Sequence, residues 1–199
     1  MGAMSKPKIV QVGHPVLRTA AAPVPPDQIT TRDMQTLVKR MVEAMRAAPG
    51  VGLAAPQLGV GLQVIVLEDD ASRMARLTKE QREERGRAPF PLTVIFNPVV
   101  RTVGEGRATY FEGCLSVAGY MALVERDVAV EVTGFDDRGA PLRWEARGWA
   151  ARILQHEMDH LKGVLYVDRM ITRTLSSNDE MAARWLDVPI DEVKKVFGV

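Results

Sequence analysis

His156-Glu157-Met158-Asp159-His160 sets two imidazoles four residues apart, with a glutamate directly after the first. On an α-helix that spacing puts both rings on one face. Two neutral imidazoles so placed can hold one divalent metal ion, and Glu157 can reach a water held by that ion. Together they are the minimal equipment for metal-assisted hydrolysis. The chain has three histidines in all, so finding two of them at this spacing around a glutamate argues against a helix that carries them by chance. A catalytic site of this kind needs a third protein ligand and an open position. No histidine follows His160, and the first downstream glutamate is Glu180. Upstream lies Cys114, within Glu112-Gly113-Cys114-Leu115-Ser116. A thiolate is a strong ligand for a borderline metal, and the metal lowers its pKa. Taken alone, such a cysteine reads as a small buried hydrophobe. The glycine beside it and a metal already expected turn the reading towards a ligand.

A second stretch with chemical content runs from Gly50 to Gly59 (Gly-Val-Gly-Leu-Ala-Ala-Pro-Gln-Leu-Gly). Its small residues let the backbone approach something closely, as in a tight packed turn or a functional loop, and they make an ordinary strand unexpected. Gln57 is its one polar side chain, a primary amide able to donate to a substrate oxygen. No Lys-Ser/Thr pair follows the glycines, so this is not a phosphate loop. The third histidine, His14, precedes a proline and reads as structural.

These groups need a scaffold. Lys8 to Arg18 reads as extended and then turning at Gly13-His14-Pro15. Met34, Leu37, Val38, Met41, Val42 and Met45 recur at helical spacing, which predicts a helix from near Thr31 that Pro49-Gly50 ends. Leu62–Glu68 predicts a strand. Residues 69–91 are crowded with charges of both signs and read as a solvated insertion, with a partner patch as the other reading. Leu92–Val100 predicts a strand broken late by Asn97-Pro98. Val128–Phe135 and Pro141–Ala146 predict a hairpin joined at Asp136–Gly139. The helix bearing the two histidines opens at Gly148-Trp149, runs to about Lys162 and stops at Gly163. Val164–Val167 predicts a short strand. Ser176–Asp179 caps a last helix that Val188-Pro189 interrupts. The order predicts an α+β fold: mainly antiparallel β-sheets around the central helix of the two histidines, with an N-terminal and a C-terminal helix. One domain over residues 1–199 is expected, with residues 1–3 reading as a cloning remnant.

The 199 residues are 46% apolar and 26% charged, ordinary for a globular chain. A formal net charge of +1 makes no case for nucleic acid or a membrane surface as partner. No apolar run reaches the roughly eighteen residues of a membrane span, and no apolar signal region opens the chain. A lone cysteine excludes an intrachain disulfide and fits a reducing compartment.

Three segments together resemble the peptide deformylases. Gly50–Gln57 resembles the first motif of that family, Glu112–Ser116 the second, and Gln155–His160 the third, in the same order and spacing. The likeness runs from about Ile9 to about Arg173. The insertion after Asp69 and the run Ser116–Tyr120 look most like the branch called type 1A, found in organelles and in some bacteria. The resemblance implies a metallohydrolase that removes the formyl group from the N-terminal formylmethionine of newly made polypeptides and releases formate. It implies one divalent metal ion held by Cys114, His156 and His160: ferrous iron in cells, with zinc, nickel or cobalt replacing it in purified protein. Glu157 would be general base and then general acid. The Gln57 side chain and the Leu115 backbone N–H would face the developing oxyanion. Gly52, Glu112 and Gly113 would contact the substrate backbone, with Gly50 in the same loop. Val51, Trp149 and Ile153 would line the pocket for the methionine side chain. Many bacterial members carry arginine five residues after the second-motif serine. Here that position is Met121, so an ionic contact to the distal peptide is expected to be missing.

The implied partners are an N-formylmethionyl peptide and nascent chains at the ribosome. The implied setting is a bacterial cytoplasm, or a mitochondrion or plastid after loss of a transit peptide. Two other readings share the metal: a zincin-type endopeptidase, which lacks its usual downstream ligand here, and a non-catalytic module stapled by a closed site, which needs a fourth strong ligand.

Overall fold

The structure, a computed structural model, describes residues 8–48, 50–75 and 77–199. The stripe of apolar residues forms helix α1, Arg32–Ala47, with Thr31 at its N-terminus as its spacing predicts. Pro49, assigned the role of helix stop, lies outside the described residues, as do the remnant positions 1–3 and Arg76 of the insertion. Strands β1 (Gly52–Ala54), β2 (Val64–Asp69), β3 (Phe90–Thr102), β6 (Ala129–Phe135) and β7 (Pro141–Arg147) form an antiparallel sheet in the order β1-β2-β3-β6-β7. Strands β4 (Arg107–Cys114), β5 (Val117–Asp127) and β8 (Ser176–Ser177) form a second, with β5 in the middle. Helix α2 (Lys79–Glu84) lies in the insertion, α3 (Gly148–Leu161) follows β7, and α4 (Asn178–Arg184) and α5 (Ile190–Phe197) end the chain. The fold is α+β with antiparallel sheets, as expected.

Side-chain alternation explains the layering. Val64, Val66 and Phe96 face α1 and pack on Leu37, Met41 and Met45. Their neighbours Ile65, Leu67 and Ile95 point the other way, onto Leu154, Met158 and Leu161 of α3. Helix α3 is therefore clamped under the larger sheet, while Leu17, Val124, Leu165 and Tyr166 build a smaller apolar cluster with the second sheet. Among the described residues no helix is long and apolar enough to cross a membrane.

Several local expectations are corrected. The small-residue stretch does contain a strand: β1 pairs with β2, Gly52 opposite Leu67. Backbone pairing outweighs weak propensity there. Val164–Val167 is not a strand; Tyr166–Asp168 is a single helical turn, with the Asp168 carboxylate accepting from the Leu165 N–H at 2.8 Å. That local bond competes with sheet pairing. The late break at Asn97-Pro98 is present as expected, but as an irregularity inside a longer strand, Phe90–Thr102. Asn97 takes a left-handed φ of 49°, the pairing with β6 shifts register between Phe96 and Val99, and the strand continues to Thr102. Strand β5 is a further strand, one that the local sequence pattern does not announce. The insertion is not simply a wet face either, because Asp69 and Met74 are buried in it. After Gln11 the chain turns as anticipated, and Pro15–Arg18 is a short helical turn; the His14 ring accepts from the Val16 N–H at 3.2 Å, a structural role.

Candidate metal centre

Helix α3 starts where Gly148, with φ 56°, packs on Gly86; a Cβ on Gly148 would lie 2.4 Å from the Gly86 carbonyl. From that fixed start, His156 and His160 come onto one face one turn apart, ring centroids 5.1 Å apart. Strand β4 delivers Cys114 from the other sheet. A register shift between Gly113 and Cys114 tightens the end of the β4–β5 hairpin, so that Cys114 pairs with Val117. One sulfur and two imidazoles thus supply ligand atoms that all lie within 4.8 Å of one another. Among the described residues this is the one group of three or more such side chains, and no fourth joins it. Cys114 Sγ lies 3.2 Å from His160 Nε2. The Ser116 N–H and the Gln57 amide N–H also face the sulfur, at 3.4 and 3.6 Å.

The donor set fits a metal ion on two grounds. Sulfur and imidazole are the ligands that borderline divalent metals prefer. The rings are also turned for the task. His156 holds Glu112 through Nδ1 at 3.0 Å, which leaves Nε2 for an ion. Burial works against charge on His156, yet Cys114 and Glu112 beside it hold its pKa well above the ordinary value. Burial holds His160 well below its ordinary value, so that ring is neutral, while a metal ion would have to displace the proton that Cys114 and Glu112 favour on His156.

Behind His156 lies a buried ionic network. Glu112 accepts from Nε and Nη2 along one edge of the Arg126 guanidinium at 3.0 and 2.9 Å and from Arg152 at 2.6 Å. Arg126 continues to Asp159 at 2.5 Å, and Arg169 grips Asp159 with two bonds at 2.6 and 2.7 Å. Arg152 also donates to the Val124 and Ala108 carbonyls. Burial opposes ionisation of Glu112, but His156 and Arg126 outweigh it and leave the carboxyl far below its usual range.

The cleft in front of the trio is a cavity of about 530 Å³. Every candidate site residue of the sequence lines it except His160. Glu157 is buried, and its Oε2 has no hydrogen-bond partner. Burial raises its carboxyl pKa to about 7. A Cβ on Gly52 would lie 2.3 Å from Glu157 Oε1, so only glycine lets the backbone pass. Gln57 is oriented by the Ala54 N–H, which donates to Oε1 at 2.9 Å and turns the amide N–H towards Cys114 and Ser116. Both carboxylate oxygens of Glu112 are occupied, so what it offers the cleft is backbone. Met121 lies at the position of the missing arginine and lines the cavity beside Gly113.

Sequence reasoning misses Arg126, Arg152, Asp159 and Arg169. A signal is available for two of them. Arg152 and Asp159 share the buried side of α3 with apolar residues, and charges on a buried helix face need partners.

The sequence profile of the polypeptide deformylase family matches residues 6–175. The chain is similar to peptide deformylase 1A, chloroplastic, of Solanum lycopersicum, 46% identical over 184 residues, 92% of this chain and 65% of the relative. It is similar to the mitochondrial peptide deformylase of Homo sapiens, 47% identical over 169 residues, 85% of this chain and 70% of that protein. The chain thus spans somewhat less than two thirds of the tomato relative's length. Among solved structures, the Met-Ala-Ser-bound class I type b peptide deformylase of Acinetobacter baumannii superposes with a TM-score of 0.72 at 30% identity, over 81% of this chain and 96% of that one. The cysteine and histidine segments that converge in space all fall inside the matched profile, and on that agreement this chain belongs to the peptide deformylase family.

Proposed function

We propose that this chain removes the formyl group from the N-terminal formylmethionine of nascent polypeptides, releasing formate. The observation that carries this reading is the meeting of Cys114, His156 and His160 beside Glu157, whose buried carboxylate has an oxygen with no partner. Cys114, His156 and His160 would hold one divalent ion. Ferrous iron is our assignment for the cell, with zinc, nickel or cobalt taking its place in purified protein. When bound, the ion supplies Lewis-acid polarisation of water and of the formyl oxygen. Glu157 takes the proton from the attacking water. Its pKa of about 7 lets it then return that proton to the leaving amine. The pinned Gln57 amide donates to the oxygen that gains negative charge, with the Leu115 N–H as second donor. Val51, Trp149 and Ile153 wall the space for the methionine side chain, and the backbone of Gly50, Gly52, Glu112 and Gly113 runs alongside the peptide. The Acinetobacter relative is described with Met-Ala-Ser bound, the peptide that deformylation of formyl-Met-Ala-Ser leaves. Relatives named as chloroplastic and mitochondrial support action on nascent chains in an organelle, and bacterial relatives support the same action in a cytoplasm.

The test is formate release from formyl-Met-Ala-Ser by metal-loaded protein, with acetyl-Met-Ala-Ser and casein in parallel. Formate from the first substrate alone is expected. Casein cleavage without formate would replace this reading with an endopeptidase. Two substitutions probe the parts. Gly52→Ala is expected to push the Glu157 carboxylate aside and lower turnover by about tenfold or more, with metal content at the parent level. Cys114→Ser is expected to reduce bound metal well below one ion per chain after dialysis, measured by elemental analysis.

A further inference from the structure

The charged segment between β2 and β3 grips both sides of the cleft. On one side Arg73 donates through Nη1 to the Gly50 carbonyl. Arg73 is itself steadied by Asp70, whose carboxylate accepts from the Arg73 N–H at 3.1 Å and lies 3.7 Å from its Nε. Met74, next to Arg73 in the chain, is buried and anchors the turn. From Gly50 the backbone runs to Gly52, where a Cβ would strike Glu157. On the other side Arg85 and Arg87 lie over the Trp149 ring, at 5.8 and 5.4 Å from its centroid. The Trp149 backbone N–H donates to the Gly86 carbonyl, and Arg87 is tied by two bonds to Asp69, which is wholly buried. Gly50 and Trp149 both line the 530 Å³ cavity. A wet surface insertion has no reason to end its bonds on two walls of one cleft.

We propose that residues 69–75 and 77–91 are a bracket that sets the width of the pocket for the methionine side chain, with Arg73 as the positioning residue for the Gly50–Gly52 backbone. The inference rests on the deformylase reading above and adds where part of its selectivity comes from. Arg73 does not line the cavity; it acts by holding the Gly50 carbonyl. Without that bond the loop samples positions further from Trp149. The substrate side chain then loses its fit, while Cys114, His156, His160 and Glu157 stay in place.

The experiment compares the parent with Arg73→Met and Arg73→Lys, all metal-loaded, on formyl-Met-Ala-Ser and formyl-Ala-Ala-Ser. Arg73→Met keeps an unbranched apolar stem and removes the donor. Its KM for the methionine peptide is expected to rise about five- to tenfold with kcat within a factor of two, the size of one lost hydrogen bond of ordinary strength. The preference for methionine over alanine should shrink by a similar factor, and Arg73→Lys should restore part of both. Asp70→Ala, at an exposed position, should give a smaller change of the same sign if Arg73→Met does not fold. Unchanged KM and preference, or a fall in kcat that tracks metal loss, would overturn the bracket. A parent that releases no formate would instead overturn the deformylase reading, so the two failures are distinct.

Discussion

Replacing Glu157 by glutamine is expected to lower formate release by about 10²- to 10⁴-fold while leaving metal content at the parent level. Glutamine keeps the shape of the side chain and cannot carry the proton. The same substitution should raise stability, which is the sharper expectation. Burial raises the folded carboxyl pKa to about 7 from an ordinary 4.5, so the folded state holds its proton more tightly than the unfolded chain does. That stabilising contribution is complete below the unfolded value and is lost as pH rises through about 7. At pH 8 the metal-free parent folds with a buried charge that glutamine lacks. Metal-free Glu157→Gln should therefore be more stable at pH 8, by up to about 3 kcal/mol, and should match the parent near pH 4. Urea denaturation at the two pH values measures this. A fully active variant removes Glu157 from the role of proton carrier, and one no more stable than the parent at pH 8 contradicts the raised carboxyl pKa. The catalytic carboxylate would thus be kept at a cost in stability, a trade common at active sites.

Glu112→Ala should produce the largest loss of stability. It leaves the guanidinium groups of Arg126 and Arg152 buried without their shared carboxylate, and breaking a buried pair in this way costs about 3–5 kcal/mol. It also frees the His156 Nδ1, and losing such a partner weakens metal binding by about 10- to 100-fold. The sign with pH is opposite to that of Glu157. His156 and Arg126 hold the Glu112 carboxyl far below its usual range, so its contribution is full above the unfolded value of 4.5 and is lost as pH falls towards the folded one. The parent should weaken as acid is added over that range, and Glu112→Gln should weaken less steeply. Denaturation between pH 3 and 8, together with a metal competition titration, reads both effects. Parent-like metal affinity in the alanine variant would show that the imidazole needs no carboxylate to aim it.

Much of this site is legible in the amino-acid sequence. Two imidazoles at helical spacing carry their geometry with them, because the helix alone puts them on one face. The α1 stripe, the β6–β7 hairpin and the glycine stop of α3 are legible for the same reason: each follows from local periodicity or turn chemistry. What is not legible depends on distant partners. β1 is a strand because β2 lies beside it, not because Gly52-Leu53-Ala54 prefers one. The Glu112–Arg126–Asp159 chain joins β4, β5 and α3, and no spacing in the sequence announces that those three charges share one buried space. The charged insertion misleads for a related reason. Composition says that Arg73 and Arg87 are cations; only the fold says that one meets the Gly50 carbonyl and the other a buried carboxylate. Cys114 stands between these cases. Its motif resembles a ligand site, and its approach to His160 follows from the register shift that closes the β4–β5 hairpin.

X-ray absorption spectroscopy at the metal edge of protein loaded with one equivalent of ferrous iron or zinc tests the account most directly. One sulfur and two imidazoles in the coordination shell, with the remaining position filled by a light atom that exchanges when formate is added, is the expected result. A shell without sulfur, or one closed by a fourth protein side chain, would contradict it.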